Sequence, residues 1–386
     1  MANQNLGTAR LAKNDEFYTR YSDIEKEMNA YLDFDESVFR NKTILLPCDD
    51  PEWSNFTKYF AQNFRKLGLK KLISTSYARD SKPSNVDPQL SLFEQESPQF
   101  DKNKSLQNGR IFILDRDTNG DGKTDVQDLT WSYLEGDGDF RSDELKALRD
   151  ESDFIITNPP FSLFRKFLAW VVEADKKFVL IGNMNAITYK ETFELIQSDR
   201  LWLGATNFNT GMYFRVPPGF VYAPTYKFEQ EIDGVPVNRV PGVCWFTSVD
   251  HGRRHQPLSL MTQADNKKFS KHKEVKGVGY QKYYNYDAIE VSFTDAIPSD
   301  YPGVMGVPIT FLDKYSPEQF EIVGNMDDHE QNKAIGVKPL SVDFIEGYRA
   351  VGGTGAQRAG GYWVGLTDPN RFPYKRIFIK HRSPAK

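Results

Sequence analysis

A tetrapeptide near the middle of the chain combines residue types that can hold and polarise a planar ligand. It is Asn158-Pro159-Pro160-Phe161, and it follows directly on the short apolar run Phe154 to Thr157. The two prolines fix the backbone and donate no hydrogen bond, so they hold the Asn158 carboxamide and the Phe161 ring rigidly just beyond a strand end. The sequence therefore predicts a site in which Asn158 and Phe161 face a ligand.

The tetrapeptide resembles the catalytic motif of S-adenosylmethionine-dependent methyltransferases that act on an exocyclic or amide nitrogen. An aromatic amine is a poor nucleophile because its lone pair is delocalised into the ring. The Asn158 side chain and the Pro159 backbone each offer a carbonyl that can accept one of its N–H bonds, while Phe161 stacks on the base. This chemistry requires neither a metal nor a strong base. An ordinary loop after a strand is the alternative for so short a motif.

The flanking segments predict the elements that position the tetrapeptide. Phe154 to Thr157 is typical of a buried parallel strand, and residues 162–174 have the pattern of a helix that follows it. In an open α/β sheet, ligands bind in the crevice beyond the carboxyl ends of the strands. We therefore expect an α/β fold with the tetrapeptide at a ligand-binding edge.

Length and composition predict a two-domain cytoplasmic protein. A chain of 386 residues exceeds the usual size of a single core. No apolar run reaches the ~18 residues of a membrane span, and the first residues lack the apolar core of a signal peptide. Two cysteines are too few for a disulfide framework, which fits a reducing compartment. We expect domains over about residues 1–250, with a polar and acidic insertion at 79–130, and 251–386, and no membrane partner.

A second group of candidate ligands follows the predicted first strand, which ends near Pro47. In a doubly wound fold this strand end is where a nucleotide-type cofactor lies. The glycines that a phosphate ligand needs are missing, whereas Asp49 and Asp50 supply carboxylates that suit the ammonium group of methionine. An acidic first turn of the next helix is the alternative. The second strand, residues 71–76, ends without an acidic residue that could bind ribose hydroxyls.

Two further segments resemble cofactor-binding segments of amino-methyltransferases. Phe17, Tyr18 and Thr19 precede a helical pattern, and this segment resembles one that covers the methionine part of the cofactor. Asp139 and Phe140 lie shortly before the central strand. They resemble an acid–aromatic pair in which the carboxylate accepts from the adenine amine and the ring stacks on adenine. A disordered tail and a helix N-cap are the respective alternatives.

An acidic run before the central strand has the spacing of a calcium loop. Oxygen-bearing side chains occupy positions 1, 3, 5, 9 and 12, with glycine at position 6; they are Asp117, Asn119, Asp121, Asp125 and Asp128. A threonine at position 8 and an aspartate at position 12, in place of glutamate, argue against a tight site. The favoured alternative is the acidic turn of a β-hairpin. Calcium is thus a candidate ligand that the chemistry would not require.

Several segments, taken in order, resemble one family over nearly the whole chain. They are NDEFYT, LPCDDPEWSNF, GDGDFRSDE, TNPPFSLF, IGNMNAI, YNYDAIEV and MGVPITFLDKYSPEQFEIVG. The family that they resemble is the EcoRI-type adenine-specific DNA methyltransferases. The resemblance implies a Rossmann-like catalytic domain and a C-terminal α+β DNA-recognition domain. It also implies transfer of a methyl group from S-adenosylmethionine, which leaves S-adenosylhomocysteine, to the exocyclic amine of an adenine flipped out of duplex DNA.

The resemblance assigns roles to individual residues of this sequence. Catalysis would fall to the tetrapeptide Asn158, Pro159, Pro160 and Phe161, with Asn158 also beside the cofactor. Cofactor binding would fall to the residues named above, which are Phe17, Tyr18, Thr19, Pro47, Asp49, Asp50, Asp139 and Phe140. An aromatic loop, residues 208–214, is a candidate to pack on the extruded base, with a hydrophobic contact as its alternative.

Basic residues concentrate in one later stretch, although the net charge of the chain is only −4. They include Arg253, Arg254, Lys267, Lys268, Lys271, Lys273, Lys276 and Lys282. Contacts to backbone phosphates supply most of the non-specific affinity for DNA. The cluster therefore predicts a surface for double-stranded DNA, with a solvated charged loop as the alternative.

Two other functions remain open from the sequence. An RNA or protein-amide N-methyltransferase would use the same tetrapeptide, but the large C-terminal half with its basic cluster favours duplex DNA. A catalytically inactive DNA-binding relative would keep the fold, but the intact Asn158 to Phe161 motif argues against it. We expect a monomer, and the family resemblance makes a companion restriction nuclease a candidate partner.

Overall fold

The computed structural model describes residues 18–49, 54–78, 97–206, 208, 210–215, 229–232, 235–367 and 370–382. These residues form two compact units. The first comprises the described residues up to Ala186 together with Leu203–Gly252, and the second comprises Ile187–Trp202 and the described residues from Arg253 onward. The division after Gly252 lies close to the expected boundary at residue 250, whereas Ile187–Trp202 groups with the C-terminal unit.

The elements are as follows. The strands are β1 (Tyr18–Thr19), β2 (Thr43–Pro47), β3 (Lys71–Ser76), β4 (Arg110–Leu114), β5 (Thr130–Tyr133), β6 (Phe154–Thr157), β7 (Lys177–Asn183), β8 (Trp202–Leu203), β9 (Met212–Arg215), β10 (Glu229–Ile232), β11 (Val235–Val240), β12 (Val243–Thr247), β13 (Gln281–Lys282), β14 (Ala288–Glu290), β15 (Val304–Pro308), β16 (Phe320–Asn325), β17 (Leu366–Thr367), β18 (Asn370–Arg371) and β19 (Arg376–His381). The helices are α1 (Tyr21–Phe34), α2 (Asn55–Gln62), α3 (Phe64–Leu67), α4 (Lys102–Gln107), α5 (Asp143–Glu151), α6 (Phe164–Glu173), α7 (Lys190–Gln197), α8 (Gln263–Phe269), α9 (His329–Ala334) and α10 (Val342–Ala350).

The main sheet of the first unit has the strand order β5-β4-β3-β2-β6-β7-β12-β8. Its centre, β3-β2-β6-β7, is parallel, whereas β4, β5 and β12 pair antiparallel with their neighbours. The chain runs from β2 outward to β3 and later returns to β6 on the other side of β2. The strand order therefore reverses between β2 and β6, and such a reversal opens a crevice at the carboxyl ends of the strands.

Apolar runs explain why the central strands lie inside. Every residue of β2 and of β6 is buried, as expected for parallel strands covered on both faces. Aromatic side chains pack the same core: Phe56 meets Trp245 edge to face with ring centroids 6.0 Å apart, and Phe39 meets Phe154 at 5.3 Å. The predicted α/β class, with parallel strands at its centre, is confirmed.

Part of the segment that we expected to be an insertion belongs to this sheet. Residues 79–96 lie outside the described residues, but β4 and β5 pair in antiparallel register and extend the sheet beyond β3. After Arg110, the residues of β4 form an unbroken apolar run, Ile-Phe-Ile-Leu, which is typical of a strand. The insertion is therefore shorter than residues 79–130.

A smaller antiparallel sheet also belongs to the first unit. Its strand order is β1-β9-β11-β10, and β1 pairs with β9 so that Thr19 lies opposite Phe214. This pairing joins the N-terminal described residues to the aromatic segment that follows β8. It also fixes Thr19 near the start of α2, where Asn55 Nδ2 donates to the Thr19 carbonyl at 2.7 Å.

The second unit contains a five-stranded sheet of order β13-β14-β15-β19-β16 and the two-stranded pair β17-β18. Its core includes Tyr283, Tyr286 and Phe378. Helix α7 packs on β16, where Gln197 Nε2 donates to the carbonyls of Ile322 and Val323. None of the helices in the described residues is long and apolar enough to cross a membrane.

Candidate active site

The tetrapeptide Asn158 to Phe161 lies at the carboxyl end of β6, beside the reversal of strand order. Asn158 is half-buried with its Oδ1 atom shielded from solvent, and Pro159 is buried. Phe161 begins a short 3-10 turn that leads into α6. The strand and the helix predicted on either side of the tetrapeptide are confirmed.

A buried carboxylate ties the end of β6 to the end of β2. Thr157, which directly precedes Asn158, lies with its hydroxyl oxygen 2.6 Å from Asp49 Oδ2 and 2.5 Å from the Pro47 carbonyl oxygen. The Ser54 hydroxyl donates to Asp49 Oδ1 at 2.8 Å. Asp49 is only 6% exposed. Its carboxylate therefore links the end of β6 to the turn after β2, next to the tetrapeptide. The sequence did not reveal this role.

The turn after β2 is sharp although it contains no glycine. Cys48 takes a left-handed conformation with φ 73°, a region that favours glycine. The turn directs the backbone N–H of Asp49 to the carbonyl of Thr75, the residue before the end of β3, at 2.9 Å. The sharp turn that glycine usually allows is therefore made here by Cys48. Asp50 lies outside the described residues.

Two buried hydroxyls lie at the same edge of the first unit. Thr19 and Thr75 are 3% and 1% exposed, and within the described part of the chain neither Oγ1 atom has a hydrogen-bond partner. Buried polar groups normally have partners, so these two hydroxyls mark positions where a ligand can supply them. Thr19 was a predicted cofactor contact, whereas Thr75 was not. For Tyr18 the structure describes only the strand backbone, and Phe17 lies outside the described residues.

The Phe161 ring is supported from one side by the core. Phe214 of β9, which is buried, meets it edge to face with ring centroids 6.5 Å apart. Phe161 itself is half-buried and packs against the main core. Phe208 is also buried. The two phenylalanines of the aromatic loop therefore pack inside the protein, and Phe214 holds Phe161 in place.

Asp139 and Phe140 lie on a segment seated on the end of β3, but the two side chains point into different surroundings. Arg141 Nε donates to the Asp139 carboxylate at 2.9 Å, and this guanidinium lowers the pKa of Asp139 below its ordinary value. The Phe140 ring is 1% exposed and packs against Phe167 and Trp170 of α6. In this conformation the ring belongs to the core, so stacking on adenine would require it to leave this packing.

Tyr77 is a candidate that the sequence analysis missed. It directly follows β3 and is half-buried in the neighbourhood of Cys48, Asp139 and Arg141. Burial raises the pKa of Tyr77 above its ordinary value. Gly138 explains the closeness of the two segments, because a Cβ there would collide with the Ser76 carbonyl oxygen. The sequence signal for Tyr77 is an aromatic residue directly after β3, at the place where an acidic residue could bind ribose hydroxyls.

The acidic run after β4 forms the connection of the β4–β5 hairpin. Asp117 accepts from the backbone N–H groups of Gly120 and Gly122, and Asp128 accepts from those of Thr118 and Asp125. These backbone donors lower the pKa of Asp128. Among the described residues, no group of three or more His, Cys, Asp or Glu side chains is arranged to hold a metal ion. The run thus connects the two strands of a β-hairpin, and calcium binding stays a prediction.

The structure divides the basic cluster of the second unit. Arg253 pairs with Asp313 at 2.6 Å. Arg254 pairs with Asp199 at 2.8 Å and lies over the Trp202 ring, 3.8 Å from its centroid. Both arginines therefore form ion pairs with carboxylates of the same unit. By contrast, the lysines that were predicted to contact DNA are exposed; they are Lys267, Lys268, Lys271 and Lys273, of which Lys271 pairs with Asp295 at 2.6 Å.

Comparison with known proteins identifies the family. The model of the family described as "Adenine-specific methyltransferase EcoRI" matches residues 5–382. The type II methyltransferase M.EcoRI of Escherichia coli is 40% identical over 344 residues, which cover 88% of this chain and 93% of that protein. M.MpnI of Mycoplasma pneumoniae is 35% identical over 316 residues, covering 82% and 83%, and M.MgeORF184P of Mycoplasma genitalium is 33% identical over 316 residues, covering 82% and 84%. No solved structure matches the chain significantly. The chain belongs to the family of EcoRI adenine-specific methyltransferases.

Proposed function

We propose that this adenine-specific DNA methyltransferase transfers a methyl group from S-adenosylmethionine to the exocyclic amine of an adenine extruded from duplex DNA. The observation that carries the proposal is the rigid tetrapeptide Asn158 to Phe161 at the carboxyl end of β6, where the strand order reverses. Ligands of open α/β sheets bind at such reversals. We assign catalysis to a Rossmann-like domain of about residues 1–250 and DNA recognition to about residues 251–386.

Asn158 and Pro159 act on the amine of the target base. Each offers a carbonyl oxygen, and together they accept the two N–H bonds of the exocyclic nitrogen. Both bonds are best accepted when the nitrogen is tetrahedral, so these acceptors stabilise the transition state more than the planar amine. Pro160 keeps the tetrapeptide rigid. Phe161, held by Phe214, presents its ring to the flipped base.

The residues at the sheet edge fit the proposed methyl donor. When bound, S-adenosylmethionine supplies an electrophilic methyl group on a sulfonium. The buried Thr19 and Thr75 hydroxyls offer hydrogen bonds to its polar groups. Asp50 offers a carboxylate to its ammonium, and Asp139 an acceptor to its adenine amine. Phe17 and Tyr18 would cover its methionine part.

Asp49 plays a different part in this proposal. Its carboxylate already accepts from Thr157 and Ser54, so we assign it to positioning the strand ends and leave ammonium binding to Asp50. Phe140 likewise supports the Asp139 segment from the core. Tyr77, half-buried near Asp139, takes over as the aromatic residue that borders the cofactor's adenine.

The target adenine must leave the helix to reach Asn158. Extrusion costs a few kcal/mol, which stacking in the protein and phosphate contacts offset. The exposed Lys267, Lys268 and Lys273 are the residues that we assign to phosphates.

Sequencing genomic DNA from cells that express the protein, with a method that detects methylated bases, tests this function. We expect N6-methyladenine at one recurring sequence, absent from cells that express Asn158→Ala. Methylation of RNA or protein with unmodified DNA would contradict the proposal.

A further inference from the structure

The exposed lysines of the second unit belong to one compact segment, residues 263–279, which we call the lysine knob. It comprises α8 and the turns that follow it. Two of its own residues, Asn266 and Val275, are buried, and the backbone N–H of Gly277 donates to the Lys267 carbonyl at 2.7 Å. This hydrogen bond ties α8 to the turns that follow it.

The lysine knob is anchored to the unit by a histidine. The His272 ring stacks on Phe293 with centroids 3.7 Å apart and an interplanar angle of 4°, and its Nε2 atom lies 2.7 Å from Asp295 Oδ1. Because Phe293 covers one face of the His272 ring and Asp295 contacts its edge, the ring has little freedom to rotate. The knob therefore presents its outer side chains from a fixed base.

Two large apolar side chains protrude from this charged segment. Phe269 is 59% exposed and Val278 is 65% exposed. The Lys268 amine lies 4.9 Å from the centre of the Phe269 ring, where it meets the electron-rich face of the ring. A phenylalanine left exposed does not gain the stabilisation that burial of its ring would provide. Such a ring suits a partner that covers it.

The charges of the knob indicate what that partner is. It carries five lysines, Lys267, Lys268, Lys271, Lys273 and Lys276, against two acidic residues, Asp265 and Glu274. A polyanion with flat apolar groups inside a charged exterior can pair with the lysines and also stack on the Phe269 ring. Duplex DNA has this chemistry, and proteins that kink DNA insert apolar side chains between its base steps.

We propose that Phe269 is a wedge that contacts the bases of duplex DNA once the lysines of the knob have bound the flanking phosphates. The proposal rests on the DNA contact assigned to these lysines. It adds that the knob perturbs base stacking as well as neutralising charge. Val278 is the matched control, because it is equally exposed on the same segment but has no aromatic face.

Binding of the full-length protein to a short duplex of mixed sequence, measured by fluorescence anisotropy over a range of salt concentrations, separates these roles. Phe269→Ala should weaken binding about tenfold, because the ring no longer stacks on a base, with an unchanged salt slope because every lysine still binds its phosphate. Phe269→Trp should bind like the wild type. Val278→Ala should change affinity less than twofold.

Photo-crosslinking gives a second measurement that needs no variant. A duplex with 5-iodouracil scanned through it should crosslink to the peptide that contains Phe269. Wild-type affinity in Phe269→Ala, or crosslinks that never include this peptide, would overturn the wedge. If Lys267→Gln and Lys268→Gln also left the salt slope unchanged, the DNA contact assigned to the lysines would fail as well. A lowered slope in these lysine variants would confine the failure to the wedge.

Discussion

The hydroxyl of Thr157 lies 2.6 Å from the carboxylate of Asp49, which joins the residue before Asn158 to the turn after the first parallel strand. Both residues are buried. The hydrogen bond spans the reversal of strand order, so the position of the tetrapeptide Asn158 to Phe161 depends on a side chain from the turn after β2. In the function that we propose, this contact and the one between the Thr157 hydroxyl and the Pro47 carbonyl link the cofactor site to the base site.

Thr157→Val tests this coupling. Removal of the hydroxyl leaves part of the buried Asp49 carboxylate without its donor, which should cost about 1–3 kcal/mol of unfolding free energy. Because the tetrapeptide shifts, the Thr157→Val enzyme should transfer methyl groups about 10- to 100-fold more slowly in single turnover. Thr157→Ser keeps the hydroxyl and should retain most of both properties. Equal rates for the valine and serine variants would contradict the coupling.

The exposed lysines should set the salt dependence of DNA binding. Replacing Lys267, Lys268 and Lys273 together with glutamine should reduce the slope of log affinity against log salt by about 0.9 for each phosphate that is no longer neutralised, and weaken binding to all sequences alike. Arg254→Gln is the control, because Arg254 is held by Asp199 and Trp202. A slope that falls in the arginine variant but not in the lysine variant would reverse our assignment.

The acidic hairpin turn provides a test for calcium. If the turn binds the ion, calcium should raise the melting temperature of the wild type but not that of Asp117→Ala, since only a native state with the site intact gains the binding energy. The comparison is thermal unfolding in calcium and in chelator. Identical wild-type curves in the two solutions would leave Asp117 and Asp128 with the backbone hydrogen bonds that they already accept.

Glu27 should make stability depend on pH. Burial raises the pKa of this carboxyl, although Tyr31, Ala205 and Thr206 donate to it. The folded chain therefore holds the proton to higher pH than the unfolded chain, whose value is about 4.3. Its stabilising contribution is complete below the unfolded value and is lost as pH rises through the folded one.

The wild type should accordingly lose stability relative to Glu27→Gln as the pH rises above the unfolded value and through the raised pKa of the folded state. Urea unfolding at several pH values measures the difference. A difference that does not change with pH would show that Glu27 has the same pKa in both states.

The sequence was sufficient for the features that depend on local pattern. The apolar run 154–157, the proline pair and the helix after it determine where Asn158 lies, because each is fixed by residues within one short segment. Contacts between distant segments were not predictable in this way. Nothing near Asp49 indicates that its carboxylate faces Thr157, and nothing near Phe140 indicates that its ring packs under α6.

The charge pattern of the sequence also did not show which basic side chains form ion pairs within the fold. Arg253 and Arg254 stand beside the lysines in the sequence and share their charge, but their partners Asp313 and Asp199 are remote in the chain. Composition can therefore locate a basic stretch, whereas only the fold determines which of its side chains are exposed.

Single-turnover methyl transfer by Asn158→Ala tests the central claim most directly. Labelled S-adenosylmethionine reports the reaction, and 2-aminopurine at the target position reports extrusion of the base. We predict a rate lower by about two to three orders of magnitude with nearly unchanged affinity for cofactor and DNA, because the missing acceptor acts mainly as the amine becomes tetrahedral. Phe161→Ala should also weaken extrusion, and Phe161→Trp should retain activity. Near-wild-type transfer by Asn158→Ala would show that Asn158 is not the catalytic residue.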